Sequence, residues 1–424
     1  MTAQMNRRSL LGLASGLGIS ISFLGTQAFA ASEGDLARKK LVVVICRGGM
    51  DGLSVSPPVG DADYAALRGS IALKPDQVLK LDDTFGLHPE LETVHALALK
   101  GEARIAPAIA SPDRARSHFE AQDVLETGAS GVYGAETGWL NRTLEALAPV
   151  RKVEGLSVGA TAPLILRGKV QAASWSPGKG VDETARLPTL LQDLYKTDPL
   201  LGPAFARGLE TETMAQQAMT AMAATPAMNV AAASTPSMGA PASMSPTMAN
   251  DRQNRAGGEA ARKLGSTLGG FMIQPGGPQI AAISLDGFDT HAGQLGQIAT
   301  RLSYMDAVLD GLHTGLGAEW KNTVVIAVTE FGRTARVNGT GGTDHGTAST
   351  GLILGGALKR GGIVGDWPTL KQSALFENRD TAPTLDMRGL FKGVLADHIG
   401  VDRTALETKV FPDSAAAKPV TGLV

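Results

Sequence analysis

Residues 279–329 read QIAAISLDGFDTHAGQLGQIATRLSYMDAVLDGLHTGLGAEWKNTVVIAVT, and this stretch decides the fold. It opens on Gln279–Leu285, apolar on both faces, and closes on a second such run, Thr323–Thr329. Between them Leu295, Ile298, Leu302, Met305, Leu309, Leu312 and Leu316 recur at helical spacing. Two doubly buried strands joined by a helix are the crossover unit of a mainly parallel sheet. Working outward, Leu41–Cys46, Arg104–Ile109, Pro163–Leu166 and Gly351–Leu354 carry the same strand signature. The expected fold is therefore α/β, a three-layer α/β/α sandwich.

The N-terminus carries a different message. Arg7 and Arg8 stand just before a mild apolar run, Leu10 to Leu24, diluted by glycine and serine. The run falls short of the ~20 apolar residues a spanning helix needs. It ends on Ala28-Phe29-Ala30, a small-x-small cleavage signature with Ala31 as the new N-terminus. Residues 1–30 thus read as a twin-arginine signal, with the twin-arginine translocase as a partner and a periplasmic or secreted destination. That route carries cargo already folded, often with a metal or cofactor inside. No other stretch is apolar enough to span a bilayer, so the mature chain is expected to keep no membrane span.

Composition narrows the rest. The 424 residues carry a formal net charge of −2, which gives no reason to expect nucleic acid or an anionic membrane surface as a partner. Cys46 is the one cysteine, so no intramolecular disulfide forms, and its place in an apolar run reads as core. From Met214 to Asn250 the chain has no charged and no aromatic residue, and holds seven of its 13 methionines. Such a tract has little to bury and reads as a disordered insertion. Its thioethers suit Cu(I), but no histidine accompanies them. Residues 31–213 and 251–424 then form one α/β domain around it.

In open α/β sheets functional groups gather past the C-terminal ends of strands. Four such places here carry acids and histidines. Asp51 lies in Arg47-Gly48-Gly49-Met50-Asp51-Gly52, Asp289 and His291 in Asp286-Gly287-Phe288-Asp289-Thr290-His291, Glu330 and Arg333 in Glu330-Phe331-Gly332-Arg333-Thr334, and Asp344 and His345 in the loop before Gly351. These donors suit a divalent metal, Zn, Ca, Mg or Mn. Bland readings stand beside this one. Asp51 also reads as an aspartate holding its own turn, Asp289 as an orienter of His291, and Glu330 as the partner of Arg333. After Arg104–Ile109, Ser117 follows Arg116 at a helix start and reads as a nucleophile. Its spacing to Glu120 equally makes a capping box.

Taken together, Arg47–Leu53, Arg116-Ser117-His118-Phe119 with Ala121-Gln122-Asp123, Phe288-Asp289-Thr290-His291, Thr329–Thr334 and Gly341–Gly346 resemble the domain of unknown function 1501 family. The resemblance covers nearly the whole mature chain, and members commonly carry a twin-arginine signal. That family looks like a distant branch of the alkaline phosphatase and sulfatase superfamily. The resemblance implies metals at strand ends and a nucleophile at a helix start. Asp51 matches the first metal aspartate, Ser117 the nucleophile, Asp289 and His291 a closely spaced ligand pair, and His345 the final histidine. Glu330 stands where an aspartate–histidine pair is expected, with Phe331 in the histidine's place. The implied activity is metal-dependent hydrolysis of a small anionic ester, phosphate or sulfate, with Arg116 or Arg333 clamping the nonbridging oxygens. The rival is a non-catalytic exported protein that uses the same fold for binding or envelope assembly.

Overall fold

The computed structural model describes residues 20–26, 38–148, 153–158, 163–170, 172–174, 246–275 and 277–424. Six strands carry the functional part of the sheet: β1 (Lys40–Cys46), β2 (Ala103–Ala110), β3 (Ile280–Leu285), β4 (Thr323–Val328), β5 (Ser349–Leu354) and β6 (Leu385–Asp386). They lie in the order β6-β2-β5-β4-β1-β3. β1 pairs parallel with both β3 and β4, and β6 parallel with β2. β5 alone runs the other way, antiparallel to β2 and β4. The expectation of a mostly parallel sheet is met, with this one reversal. It has a topological cause: no crossover helix joins β4 to β5, and a loop return suffices only for an antiparallel neighbour. Beyond β3 the backbone of Ser20–Thr26 pairs antiparallel with β3 and with Val153–Val158, which pairs parallel with Ala172–Ser174.

Alternation along β1 distributes its side chains to two faces. Val42, Val44 and Cys46 pack with α1 (Glu92–Lys100), α4 (Pro246–Ile273) and α5 (Gln294–Leu316). Leu41, Val43 and Ile45 pack with α2 (His118–Thr127), α3 (Trp139–Leu147) and α6 (Met387–Val394). The sheet is buried on both sides, which is why its strands read as continuous apolar runs. Cys46 is fully buried, its Sγ 3.6 Å from Met305 Sδ, and burial pushes its thiol up. It is a core residue, as expected.

Three expectations need correction. Pro163–Leu166 is not a strand, because Leu164–Leu166 forms a 3₁₀ turn. Its backbone finds side-chain partners instead of a neighbouring strand: Ile165 N–H donates to Glu126 Oε2 at 2.9 Å, and Asn141 Nδ2 donates to the Leu166 carbonyl at 2.8 Å. Leu295 does not belong to the buried stripe of α5, being 47% exposed; Gln294 takes the inward position one residue earlier. The Met-rich tract ends sooner than expected, since residues 246–250 already form the start of α4. Residues 214–245 and the 1–30 leader apart from Ser20–Thr26 lie outside the described residues. Among the described residues no helix is long and apolar enough to cross a membrane.

Candidate functional site

β1, β2, β3 and β4 all point their C-terminal ends at one edge of the sheet, and β5 begins there. The turns that follow β1, β3 and β4, the start of α2 and the loop before β5 therefore meet. The turn after β1 requires two positive-φ glycines, Gly48 at 114° and Gly49 at 68°. At Gly48 a Cβ would lie 2.5 Å from the Asp289 nitrogen, so only glycine lets these two turns touch. The loop before β5 is hung on the turn after β4: Gly346 N–H donates to Gly332 O at 2.8 Å, and Thr334 N–H to Asp344 O at 2.9 Å.

At the meeting point four side chains converge. His291 Nε2 lies 3.0 Å and His345 Nε2 3.2 Å from Asp289 Oδ1. His118 Nε2 lies 3.5 Å from Asp289 Oδ2, and the Nε2 atoms of His291 and His345 are 3.0 Å apart. Donor atoms of His118, Asp289 and His345 all fall within 4.8 Å of one another, a grouping able to hold a metal ion. Asp289, with its side chain 45% exposed, leaves the cluster open to solvent. His118 Nε2 is nevertheless buried and has no hydrogen-bond partner among the described residues.

Each ring is turned by a contact at its other nitrogen. His118 Nδ1 donates to Glu330 Oε1 at 2.9 Å, and His345 Nδ1 to the Arg116 carbonyl at 2.9 Å. His291 Nδ1 faces Asp344 Oδ1 at 3.5 Å. The Arg116 carbonyl oxygen can only accept, so His345 Nδ1 carries a proton, while its Nε2 faces the Asp289 carboxylate. This is the arrangement by which outer carboxylates and carbonyls orient metal-binding histidines. Phe331 closes one wall, its ring centroid 4.9 Å from His118 and 4.8 Å from His345.

The residues singled out in the sequence divide between several jobs. Asp289, His291 and His345 meet in the cluster. Glu330 stands behind it, fully buried, accepting also from Gly48 N–H at 2.8 Å, Gln122 Nε2 at 3.1 Å and Thr329 Oγ1 at 2.9 Å. Burial pulls its carboxyl upward, yet the His118 bond and the backbone donors prevail and hold it below the usual range. The bond to Glu330 raises His118 in turn, against desolvation. Asp344 lies on the rim. Asp289 is pulled up by burial but brought down to about 2 by the Arg333 hydrogen bond and charge, with His345 and His291 assisting.

Asp51 is elsewhere. It is buried in an ion pair with Arg68 and accepts from Ser54 Oγ at 2.6 Å and from Gln294 Nε2. Gln294 in turn accepts from Thr290 Oγ1 at 2.9 Å and Thr343 Oγ1 at 2.6 Å. Thr290 sits between Asp289 and His291, and Thr343 just before Asp344, so Asp51 anchors both cluster loops from beneath. Arg333 is buried and its guanidinium is filled: Nε to Gly49 O at 2.6 Å, Nη1 to Thr343 O at 3.0 Å, and Nη2 to Gly48 O, Phe288 O and Asp289. Arg116 is held by Asp380 and Glu377. Ser117 is the N-cap of α2 but makes no side-chain cap bond, so the capping box with Glu120 does not form.

His118 is the cluster residue that the strand-end rule leaves out. Its signal was present, since it follows the end of β2 as His291 follows β3, but the capping-box spacing around it explained the segment without it. No curated protein matches the chain. A family model described as "Protein of unknown function (DUF1501)" matches residues 38–410, spanning every cluster residue above. On that match, the chain belongs to the DUF1501 family.

Proposed function

We propose that this chain is an exported hydrolase of phosphate or sulfate esters that works with one divalent cation held by His118, Asp289, His291 and His345. One observation carries the reading: three imidazole Nε2 atoms converge on one carboxylate while each Nδ1 faces an acceptor. The residues present fit such an ion. His118 Nε2 is buried without a hydrogen-bond partner among the described residues, and three imidazoles with one carboxylate suit Zn or Mn better than Ca or Mg, which favour oxygen donors. Charge agrees, since Asp289, Glu330 and Asp344 against Arg333 leave two negative charges for a dication to cancel. When bound, the cation supplies Lewis acidity toward an ester oxygen.

The chain's own residues account for the remaining tasks. Ser117 is the nucleophile, a hydroxyl uncommitted to capping at the start of α2. The first-turn N–H groups of α2 lack intrahelical acceptors and receive the nonbridging oxygens. Phe331 and the buried faces of His118 and His345 limit water on one side. The fold reading that goes with this is a distant, single-cation branch of the alkaline phosphatase and sulfatase superfamily, exported by the twin-arginine translocase to the periplasm or beyond. Cleavage after Ala30 removes the Ser20–Thr26 strand and leaves the β1–β4 edge that builds the cluster intact.

The test is elemental analysis of protein recovered after export, followed by turnover of aryl phosphate and aryl sulfate. Expected are about one equivalent of metal, turnover that Ser117→Ala abolishes with metal retained, and metal loss in His118→Ala. Protein that neither carries nor takes up metal would overturn the proposal. The non-catalytic reading has one observation in its favour: both arginines expected to clamp substrate are already held in ion pairs. It predicts no turnover, indifference to Ser117→Ala and co-purification with another exported protein.

A further inference from the structure

We propose that Arg116 is a positioning residue for this centre, acting through its backbone carbonyl and not through its guanidinium. The inference deepens the metal reading above, and its first consequence, a ring tautomer, is measurable without any metal. Arg116 has φ 57°, a left-handed backbone that an L-residue with a side chain avoids. Such strain persists only where surroundings over-determine it, and it gathers at functional sites. Here the surroundings are an ion-pair latch. Arg116 Nε donates to Asp380 Oδ2 at 2.9 Å, Nη2 to Glu377 Oε2 at 2.5 Å, and the guanidinium lies 6.0 Å from the Phe376 ring centroid. Asp380 is fully buried and is itself fixed by Thr347 Oγ1 at 2.9 Å and Arg379 Nη1 at 3.1 Å. The opposing loop is strained as well, with Glu377 at φ 51° and Asn378 at φ 56°.

The latch has two outputs. The Arg116 carbonyl is aimed at His345 Nδ1, which holds a proton there and turns Nε2 toward Asp289. Immediately after, Ser117 is extended (φ −105°, ψ 127°) and His118 opens α2, so the same turn sets where the His118 ring begins. One strained residue thereby sets the aim of two histidines. The guanidinium is taken up by Asp380 and Glu377, and through them it holds the carbonyl in place.

The experiment uses full-length mature protein labelled with ¹⁵N-histidine. Long-range ¹H–¹⁵N NMR of the metal-free protein near pH 8 reads the His345 tautomer, and Zn²⁺ competition against a chromogenic chelator reads affinity. In the wild type His345 is expected as the Nδ1–H tautomer. Arg116→Ala and Asp380→Asn should give mixed tautomers and zinc binding weakened ten- to a hundredfold, the range for outer partners of metal ligands. Arg116→Gly keeps the carbonyl and adopts positive φ freely, so it should restore the Nδ1–H tautomer and most of the affinity lost in Arg116→Ala. Arg116→Ala and Arg116→Gly behaving alike, or an unmoved tautomer in Asp380→Asn, would overturn the inference. A wild type with the expected tautomer but no zinc uptake overturns the metal reading and leaves this one standing. Zinc uptake with His345 protonated on Nε2 does the reverse.

Discussion

Replacing Glu330 with glutamine separates a carboxylate that binds a metal from one that aims a histidine. Glu330 Oε1 accepts from Gly48 N–H, His118 Nδ1 and Gln122 Nε2, while Oε2 accepts from Thr329 Oγ1. A glutamine in the same rotamer keeps its oxygen at the Oε1 position with all three donors. Its NH₂ faces Thr329 Oγ1, which can turn to accept it, so the shape survives and the charge is lost. The His118 ring then keeps its hydrogen bond but not its anion. Losing an outer partner of this kind costs ten- to a hundredfold in metal affinity, about 1.4–2.7 kcal/mol. Removing an inner ligand costs far more, and Asp289→Asn supplies that reference. The assay is zinc competition on both variants after circular dichroism confirms the fold. Glu330→Gln at wild-type affinity, or as damaged as Asp289→Asn, would refute the assignment of Glu330 to the layer behind the cluster.

Four other outcomes follow from the same contacts. Asp51→Asn strands the buried Arg68 charge and should cost about 3–5 kcal/mol in urea unfolding with metal stoichiometry unchanged; lost metal at unchanged stability would make Asp51 a ligand after all. Arg333→Lys cannot reach its four carbonyls and Asp289 with three donors, so unfolding should fall by about 2–6 kcal/mol; a stable variant lacking only turnover would restore the clamp role. Gly48→Ala drives a Cβ into the Asp289 backbone at positive φ and should destabilise by on the order of 3 kcal/mol, read by thermal unfolding. His398 donates Nε2–H to the Lys40 carbonyl at 2.9 Å, and burial holds it down to about 4. Because the folded value lies below the unfolded ~6.5, the stability it protects is complete above pH ~6.5 and is lost as pH falls toward 4, up to ~3 kcal/mol. His398→Gln should flatten that acid slope in denaturant titrations between pH 7 and 4, and an unchanged slope counts against the argument.

Much of the fold could be read in the sequence because strands buried on both faces leave a continuous apolar record. Leu41–Cys46 and Thr323–Thr329 are such records, and both are central strands. What could not be read was direction. Nothing in Gly351–Leu354 distinguishes a parallel from an antiparallel strand, since both are equally apolar, and its reversal depends on how the preceding loop returns. Leu164–Leu166 failed for the opposite reason: a short apolar run led by proline looks the same whether its partner is a strand or the side chains of Glu126 and Asn141. In the site, the strand-end rule found Asp289, His291 and His345. It could not rank the carboxylates, because Asp51, Glu330 and Asp289 share a chemistry and differ only in which donor reaches them first. Arg68 and Gln294, which claim Asp51, lie 17 and 243 residues away from it.

The same contacts explain why the cluster is organised before anything binds. Arg333 collects carbonyls from the turn after β1, the turn after β3 and the loop before β5, and spends its last donor on Asp289. Gln294 does the same from below through Thr290 and Thr343. A pin and a strap therefore hold two of the cluster loops, the Arg116 latch aims the third histidine-bearing segment, and Glu330 fixes the His118 ring. Ordering entropy is met during folding, so a ligand entering the cluster need not supply it. That rigidity also explains the placement of charge. The guanidinium, fixed by four carbonyls, reaches the same Asp289 Oδ1 that His291 and His345 approach, and its Nη1 stops 3.5 Å from His291 Nε2. The residue read first as a substrate clamp is better understood as what allows a carboxylate and three imidazoles to share one small space.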